Sequence, residues 1–321
     1  MKDTVELSEL QREEKSTDVR KRIAELDAER NELLSEIGQL AGLDRVKFGH
    51  LPLSVIDSGD WLDYGLIGDT HLCCKEERLS ELHNFYDLLA SEGIQTVFHA
   101  GNIVDGYIAR INGGSVFDSS IDGQCQYVID NYPRRKGITT YFITGDDHEG
   151  WWQKEGFNFG AYLSYLAKDQ GRNDIIYIGH VEADVEIKGK KGSASTIIKI
   201  QHPGGGSAYA RSYTGQKQVE SMEGGEKPSI LAQGHYHVSN HMHDRNVCVV
   251  SLPGFQDQTV FARKKRLRME VGGAILSFKR SPKDGSVTRC RLEFVRYFTR
   301  GYYKRYLKSD RKVIKGHLVL K

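Results

Sequence analysis

Short apolar runs and longer amphipathic segments alternate along the chain from about residue 62 onward. Buried strands are predicted where apolar residues run up to a glycine or histidine, at 61–68, 95–101, 139–145, 175–180, 196–202 and 230–234, and a further strand is predicted at 181–189. Helices are predicted where apolar residues recur every three or four positions, at 75–93, 123–135 and 157–171. This alternation predicts an α/β fold, and the consecutive strands after residue 175 predict mixed or partly antiparallel sheets.

The two ends of the chain have patterns of their own. Near the start, apolar residues fall on two heptad positions, at Ile23, Leu26, Leu33, Ile37 and Leu40. This predicts an amphipathic helix that packs on its own domain, mediates self-association into a homo-oligomer, or forms a mobile arm. At the other end, residues 271–297 predict a β-hairpin around a Lys-Asp-Gly-Ser turn. We therefore expect a helical arm at 1–48, a main domain at 49–260 and a basic C-terminal extension at 261–321 that completes the sheet.

Composition excludes several classes of protein. Hydrophobic residues make up 39% of the 321 residues, and the mean hydropathy is −0.50, which excludes collagen-like and wholly disordered chains. No apolar run approaches the ~18–20 residues of a membrane span, and the polar start does not read as a secretory signal. Five cysteines, two of them adjacent, do not suggest a disulfide framework. We expect a cytoplasmic protein without membrane contact.

The near-zero net charge is an average of two very different parts. Residues 261–321 hold 19 basic and 4 acidic residues, a net charge of +15. Residues 1–260 hold 26 basic and 39 acidic residues, a net charge of −13. The formal total of +2 is therefore no argument against a nucleic-acid partner.

Side chains of the kinds that bind metals follow five of the predicted strands. They are Asp69 and His71, Asn102 and Asp105, Asp146 to Glu149, His202, and His235 and His237. One such residue at a strand end is usually a cap or turn residue. Five such places predict a shared site, because loops at the carboxyl ends of strands are where α/β folds build sites.

The residue types indicate which metals this site would bind. Imidazoles mixed with carboxylate or amide oxygens favour Mn, Zn, Fe, Ni or Co over a thiolate site or an all-oxygen calcium site; we expect Mn, with Mg also open. Seven candidate ligands exceed what one ion needs, so we expect two divalent ions about 3.5–4 Å apart. Such pairs activate a hydroxide for phosphoester hydrolysis, although aminopeptidases use paired ions too.

The order and spacing of five motifs resemble the calcineurin-like metallophosphoesterases. These motifs are Gly-Asp-Thr-His at 68–71, Gly-Asn-Ile-Val-Asp at 101–105, Asp-Asp-His-Glu at 146–149, His202, and Gly-His-Tyr-His at 234–237. The resemblance covers about residues 62–255 and implies a metallophosphoesterase-type β-sandwich of mixed sheets flanked by helices. Within that superfamily the chain looks most like phage-encoded members, which would place it in a host cytoplasm, and distantly like the double-strand-break repair nucleases.

The resemblance also implies a role for each candidate ligand. One metal would be held by Asp69, His71 and His237. The other metal would be held by Asp147, His202 and His235, with Asn102 between the two. His148 would stabilise the phosphate or protonate the leaving oxygen, and Asp105 and Glu149 would orient the ligands and His148.

Two positions depart from the family pattern. Asn102 stands where the family has a bridging aspartate, and Asp147, preceded by the inserted Asp146, stands where the family has asparagine. An amide offers one good oxygen and no charge, so Asn102 should weaken the bridge, whereas Asp147 returns the lost charge. Our hypothesis is that Asp147 takes part of the bridging role and two metals still bind. The alternative is a single-metal or catalytically impaired site.

Basic and aromatic residues are the candidates for substrate contact. Cations bind phosphates and aromatic rings stack on unpaired bases, although a solvated basic face has the same composition. The candidates lie after the glycine-rich loop at 204–206 and in the C-terminal extension, at Arg211, Arg263, Lys264, Lys265, Arg266, Arg300, Tyr303 and Arg305. His241 and His243 are interpreted as surface residues, with substrate contact as the alternative.

These observations predict a metal-dependent phosphodiesterase that hydrolyses nucleic acid with a two-metal-activated hydroxide, and in particular a DNA nuclease. One alternative is a phosphatase or a small-nucleotide phosphodiesterase. Another is a nucleic-acid-binding module with a degenerate metal site, because of Asn102.

Overall fold

A computed structural model describes residues 21–22, 25, 49–54, 60–189, 194–206, 208–223, 227–298, 313–314 and 317–318. The chain divides into two compact units, 1–46 and 47–321. In the first unit, Lys21, Arg22 and Glu25 are helical, and Arg22 Nη1 lies 3.1 Å from Glu25 Oε2. The apolar positions of the predicted arm lie outside the described residues, so the predicted self-association stays a prediction.

The second unit is built from short strands and helices. Its strands are β1 (Gly49–Ser54), β2 (Leu62–Ile67), β3 (Thr96–Ala100), β4 (Thr139–Thr144), β5 (Ile175–His180), β6 (Glu182–Lys188), β7 (Thr196–Gln201), β8 (Ile230–Gln233), β9 (Asn240–Asp244), β10 (Val247–Ser251), β11 (Val271–Arg280), β12 (Val287–Tyr297), β13 (Val313–Ile314) and β14 (His317–Leu318). Its helices are α1 (Leu79–Ser91), α2 (Ala109–Asn112), α3 (Ile121–Asn131), α4 (Gly150–Lys154), α5 (Phe159–Asp169), α6 (Tyr213–Ser221) and α7 (Val260–Lys265).

Two six-stranded sheets, both mixed, form the body of this unit. The first has the order β1-β6-β7-β8-β10-β9, and the second has the order β12-β11-β2-β3-β4-β5. Strands β2 to β5 are parallel, whereas β11 is antiparallel to both β2 and β12. The predicted hairpin is therefore present, and it extends the second sheet past β2. The boundaries at 48 and 260 stay predictions.

Three apolar layers hold the sheets and helices together. The inner faces of the two sheets pack on each other through a core that includes Phe98, Ile143 and Ile200. Helices α1, α3 and α5 cover the outer face of the second sheet with Phe85, Val128 and Leu163. Val219 of α6 packs on Leu231, Val247 and Val249 at the outer face of the first sheet. The predicted α/β class, with mixed sheets flanked by helices, is confirmed.

The predicted helices are present with shifted ends. Helix α3 begins at Ile121 because the Ser120 hydroxyl accepts a hydrogen bond from Gly123 N, a capping signal that the prediction from residue 123 missed. Helix α1 begins at Leu79 because Glu77 pairs with Gln256 as an isolated bridge. In the part of the chain that the structure describes, no helix is both long enough and apolar enough to cross a membrane.

Candidate metal centre

The carboxyl ends of five strands meet at one place in the molecule. Parallel strands β2, β3 and β4 of the second sheet end side by side, as do parallel β7 and β8 of the first. Two hydrogen bonds join the two sets: His202 Nδ1 donates to Ala100 O at 2.7 Å, and His235 N donates to Asp69 Oδ2 at 2.8 Å. The polar residues after these strands are therefore brought into contact.

The backbone of the site is unusual at six of these residues. They have φ between 45° and 78°, and are Asp69, His71, Asn102, His148, His235 and His237. Residues other than glycine seldom adopt this left-handed conformation, which concentrates at functional sites. Hydrogen bonds from Asp69 N to Gly101 O at 2.9 Å and from His71 N to Asn102 O at 3.0 Å hold two of these turns.

The first group of candidate ligands is Asp69, His71 and His237, all of them buried. Asp69 Oδ1 lies 3.4 Å from His237 Nε2 and 3.7 Å from His71 Nε2, and the two imidazole nitrogens are 3.3 Å apart. His71 Nδ1 donates to Asp105 Oδ1 at 2.9 Å, which fixes the ring and leaves Nε2 toward the group. One oxygen and two nitrogens thus converge on a single point.

The second group is Asp147, His202 and His235. Asp147 Oδ1 lies 3.3 Å from His202 Nε2, and Asp147 Oδ2 lies 3.5 Å from His235 Nδ1. His202 has its Nδ1 on Ala100 O, and His235 has its Nε2 on Gly205 O at 2.7 Å, so the remaining nitrogen of each ring faces the carboxylate. The glycine-rich loop thereby orients a candidate ligand.

One carboxylate oxygen lies between the two groups. Asp69 Oδ1, which contacts His71 and His237, is also 4.0 Å from His202 Nε2. Asp147 lies with His202 and His235, so these distances favour Asp69 over Asp147 as the residue shared by both groups. The bridging role that the sequence suggested for Asp147 stays a hypothesis.

Several buried polar atoms of the centre have no hydrogen-bond partner among the described residues. Four of them are Asp69 Oδ1, Asn102 Oδ1, Asp147 Oδ1 and His202 Nε2, and another is His237 Nδ1. Buried polar atoms almost always have hydrogen-bond partners. Three of the first four atoms are oxygens with free lone pairs, and His202 Nε2 also has a free lone pair when Nδ1 carries the proton that Ala100 O accepts. The residues present therefore fit divalent cations, and Asn102 supplies its amide oxygen to the same cluster.

The charges of this cluster are strongly coupled. Burial raises the pKa of the Asp69 carboxyl, but the imidazoles of His237 and His202 outweigh burial and hold the pKa below its ordinary value. Burial lowers the pKa of His237 to about 3, although the charge of Asp69 opposes this shift. Asp147 is likewise held ionised, against burial, by the imidazoles of His202 and His235, whose nearest nitrogens lie 3.3 Å and 3.5 Å from its oxygens.

His148 lies beside the first group without belonging to it. Its Nδ1 donates to Asp105 O at 2.9 Å and lies 3.2 Å from Asp105 Oδ1, while its ring stacks on Trp151 with centroids 4.9 Å apart. Burial opposes protonation, but the hydrogen bond and charge of Asp105 raise the pKa of His148 to about 10. His148 is therefore a cation at neutral pH, with Nε2 4.0 Å from Asp147 Oδ2.

Asp105 and Glu149 hold other residues of the centre in place. Asp105 bridges His71 and His148 by its carboxylate. Glu149 Oε1 accepts hydrogen bonds from Asn102 N at 2.8 Å and Gly145 N at 3.0 Å, which ties two of the strand-end loops together. Burial raises the pKa of Glu149 to about 7.

Sequence reasoning missed two side chains that contact Asp105. Gln256 Nε2 donates to Asp105 Oδ1 at 3.3 Å, and Asn112 Nδ2 donates to Asp105 Oδ2 at 3.0 Å. Neither residue follows a strand in a recognisable motif, so no local signal could have identified them. The adjacent residues Trp151 and Trp152 have different surroundings: Trp151 stacks on His148, whereas Trp152 is buried against Phe159.

Three arginines surround one buried carboxylate next to the centre. Glu270 Oε1 lies 3.6 Å from Arg211 Nη1, 3.6 Å from Arg268 Nε and 3.3 Å from Arg296 Nη2. Glu270 is attached to the loop that carries His237, because Glu270 N donates to His237 O at 2.8 Å. We call these three arginines with Glu270 the arginine cluster; its side-chain charge is +2, and its arginine side chains are 45–61% exposed.

The structure describes four of the other predicted substrate residues. Arg263, Lys264 and Lys265 lie in the last turn of α7, and Arg266 ends that helix in a left-handed conformation. Arg300, Tyr303 and Arg305 lie outside the described residues. Arg211 is therefore the predicted substrate residue that the structure connects, through Glu270, to a candidate metal ligand.

A methyl group at Gly145 should damage the centre. A Cβ there would lie 2.4 Å from Asn102 Oδ1 and 2.9 Å from His202 Cδ2, which are both buried. Because overpacking costs roughly 1–3 kcal/mol, we expect Gly145→Ala to weaken Mn²⁺ binding about 10-fold to 100-fold, as measured by isothermal titration. Gly114→Ala, where a Cβ meets no atom within 4 Å, is the matched control. Equal Mn²⁺ affinity in the two variants would contradict the placement of the site.

Comparisons with known proteins give remote similarities only. No protein-family model matches the chain, and no curated protein sequence matches it. Among solved structures, an archaeal phosphodiesterase is similar at 12% identity over 73% of this chain and 100% of that one, with a TM-score of 0.38. A predicted phosphoesterase from Streptococcus pneumoniae is 13% identical over 74% and 99%, with a TM-score of 0.32. Zinc-bound Vps29 from Entamoeba histolytica is 13% identical over 73% and 99%, with a TM-score of 0.33. None of these similarities assigns an activity to this chain.

Proposed function

We propose that the protein is a metal-dependent phosphoester hydrolase that cleaves phosphodiester bonds of nucleic acid. The observation that carries this proposal is the pair of ligand groups, Asp69 with two histidines and Asp147 with two histidines, joined through Asp69 Oδ1. The motif order found in the sequence supports the same chemistry. The finer resemblances, to phage-encoded members and to repair nucleases, and the cytoplasmic location stay predictions.

The two groups would each hold one divalent ion, for which we propose Mn²⁺. When bound, such ions supply Lewis acidity that polarises a phosphoryl oxygen and acidifies a water molecule. The protein's own part is to keep Asp69 and Asp147 ionised, to present the free nitrogens of four histidines, and to hold the amide oxygen of Asn102 in the same cluster.

His148 would act on the substrate directly. Its Nδ1 is bound to Asp105, so Nε2 is the nitrogen free to reach a phosphoryl or leaving-group oxygen. The hydrogen bond and the charge of Asp105 favour the protonated ring. His148 is therefore suited to stabilise negative charge or to protonate the departing oxygen.

The arginine cluster favours a substrate longer than a single phosphate. Arg211, Arg268 and Arg296 carry three positive charges against one carboxylate beside His237. Guanidinium groups at this position can bind phosphates that flank the one being cleaved, which a monoester lacks. This favours a polynucleotide, and in particular DNA as proposed, over a small phosphomonoester.

The decisive experiment is an activity panel with Mn²⁺ titration. The substrates are linear single-stranded DNA, duplex DNA, RNA, a chromogenic phosphodiester and a chromogenic phosphomonoester. The proposal predicts hydrolysis of DNA and of the chromogenic diester. Turnover of the monoester alone would favour a phosphatase, and retention of DNA without any turnover would favour a binding module with a degenerate site.

Asn102→Asp should strengthen the centre if its amide is a weak ligand. A carboxylate adds a charge and a second oxygen beside an ion, so we expect Mn²⁺ affinity to rise roughly tenfold, equivalent to about 1.4 kcal/mol. Elemental analysis after dialysis and turnover of the chromogenic diester measure the effect. Asn173→Asp, exposed before β5, is the control. Unchanged metal occupancy and turnover would show that the amide of Asn102 weakens neither metal binding nor catalysis.

Arg296→Ala should weaken DNA binding without changing small-substrate hydrolysis. On duplex DNA, each lost phosphate contact reduces the slope of log affinity against log salt by about 0.9. We expect Arg296→Ala to lose one such contact and therefore to show this reduction. Arg134→Ala is the control, because Arg134 precedes β4 and so lies at the strand end away from the centre. A slope equal to that of the wild type would show that Arg296 does not contact a DNA phosphate.

A further inference from the structure

A second cluster of metal-ligating side chains lies apart from the candidate centre, at the other border of the two sheets. His241 and His243 lie on β9, Cys248 lies on β10, and Cys290 lies on β12. Strands β9 and β12 are edge strands of different sheets. Cys248 belongs to the core between the sheets, and Cys290 packs against that core.

The strand register brings these four residues together. Cys248 pairs directly with His243 across the β9–β10 ladder, and His241 lies two residues further along β9 on the same face. The histidine rings are 5.0 Å apart, and the ligand atoms of His241, His243 and Cys248 all lie within 4.8 Å of one another. The fourth residue, Cys290, approaches from the opposite sheet.

The two distances from Cys248 Sγ match those between ligands of one tetrahedral ion, whereas Cys290 lies outside the group of three residues whose ligand atoms are all within 4.8 Å of one another. Cys248 Sγ lies 3.8 Å from Cys290 Sγ and 3.5 Å from His241 Nε2. With Zn–S bonds of about 2.3 Å and Zn–N bonds of about 2.0–2.1 Å, a tetrahedral site places its sulfurs about 3.8 Å apart and each sulfur about 3.5 Å from a nitrogen. A disulfide would instead need an S–S distance of about 2.0 Å.

We propose that His241, His243, Cys248 and Cys290 bind one Zn²⁺ ion as a structural site, which we call the zinc clip. Two thiolates and two imidazoles are a common ligand set of structural zinc sites, and they favour zinc over manganese. Both histidines are exposed, so the ion has a path of entry from solvent. The zinc clip joins the edges of the two sheets.

The zinc clip is separate from the candidate centre, but its strands adjoin the loop that carries two of the centre's ligands. Strand β9 begins three residues after His237, and β10 pairs with β8, which precedes His235. An ion at the clip would fix the β9–β10 hairpin and so restrain the loop that carries His235 and His237. Its role is therefore structural, and it supplies no group to the reaction.

Co²⁺ substitution tests the zinc clip separately from the candidate centre. A thiolate–Co²⁺ site gives an intense near-ultraviolet charge-transfer absorption, whereas the candidate centre contains only nitrogen and oxygen ligands. We expect this band in the wild type, and we expect Asp69→Asn to retain it, so the two sites are distinguished even if the protein is not a hydrolase. Zinc counted by elemental analysis should fall by one ion per chain when the clip is removed.

Three variants decide whether these four residues are the ligands. Cys290→Ser and His243→Ala change partly or fully exposed positions and should abolish the band in a folded protein, as judged by circular dichroism. Cys125→Ser, a buried cysteine in the other core, should retain it. The proposal is overturned if the wild type shows no band, or if Cys290→Ser and His243→Ala both keep the band at wild-type intensity and Co²⁺ affinity.

Discussion

His148→Ala is expected to lower phosphodiester hydrolysis by roughly 100-fold to 10,000-fold while Mn²⁺ binding is retained. The ring stacks on Trp151 and is fixed by Asp105 through Nδ1, which leaves a protonated Nε2 for the substrate. His148 is in neither of the two ligand groups described above, although it clusters with His71 and Asp105, so its removal should leave the ligands of both groups in place. Turnover of the chromogenic diester and elemental analysis measure the two quantities.

The size of this loss should depend on the leaving group. If His148 protonates the departing oxygen, the loss is smallest for a nitrophenolate, which leaves without a proton, and largest for an alkoxide such as that of DNA. A loss equal for both leaving groups would indicate charge stabilisation instead. His83→Ala, on α1, is the matched control and should keep wild-type turnover. Wild-type turnover of His148→Ala on every substrate would place the chemistry elsewhere.

Local sequence patterns predicted the elements of the fold better than their arrangement. Strands β2, β3 and β4 are short, mostly apolar or β-branched segments followed by glycine, so the sequence predicted both their presence and their ends. The pairing of β11 with β2 was not, because residues 62–66 and 274–278 meet only through long-range burial. The same holds for β1, which pairs in parallel with β6 across more than 120 residues.

The candidate centre could be predicted in its residue types but not in its geometry. The seven candidate ligands follow five strands, so a local pattern singled out all seven positions. Which oxygen is shared depends on how the two sheets approach, and the distances favour Asp69 where the sequence suggested Asp147. The arginine cluster joins residues 211, 268 and 296 around Glu270, a contact that no sequence spacing encodes.

Asp69→Asn should abolish turnover and Mn²⁺ binding together, the largest effect of any single change in the centre. Asp69 is fully buried, and its Oδ1 lies within 4.0 Å of one nitrogen from each of three histidines. Asparagine keeps the shape and can still accept the hydrogen bond from His235 N, but it removes the charge that two ions would share. We therefore expect a folded protein in which neither ligand group binds Mn²⁺ at the wild-type affinity.

Thermal unfolding measures this loss without relying on activity. A ligand at about 100 times its Kd stabilises the folded state by about 2.7 kcal/mol per site, which corresponds to several degrees in Tm for a unit of this size. Mn²⁺ should raise the Tm of the wild type and of Asp146→Asn, whose carboxylate is exposed and paired with Lys154, but not that of Asp69→Asn. Mn²⁺ is preferred to Zn²⁺ here because the thiolates of the zinc clip bind it weakly. An equal rise in all three proteins would mean that the stabilising ion binds outside the Asp69 centre.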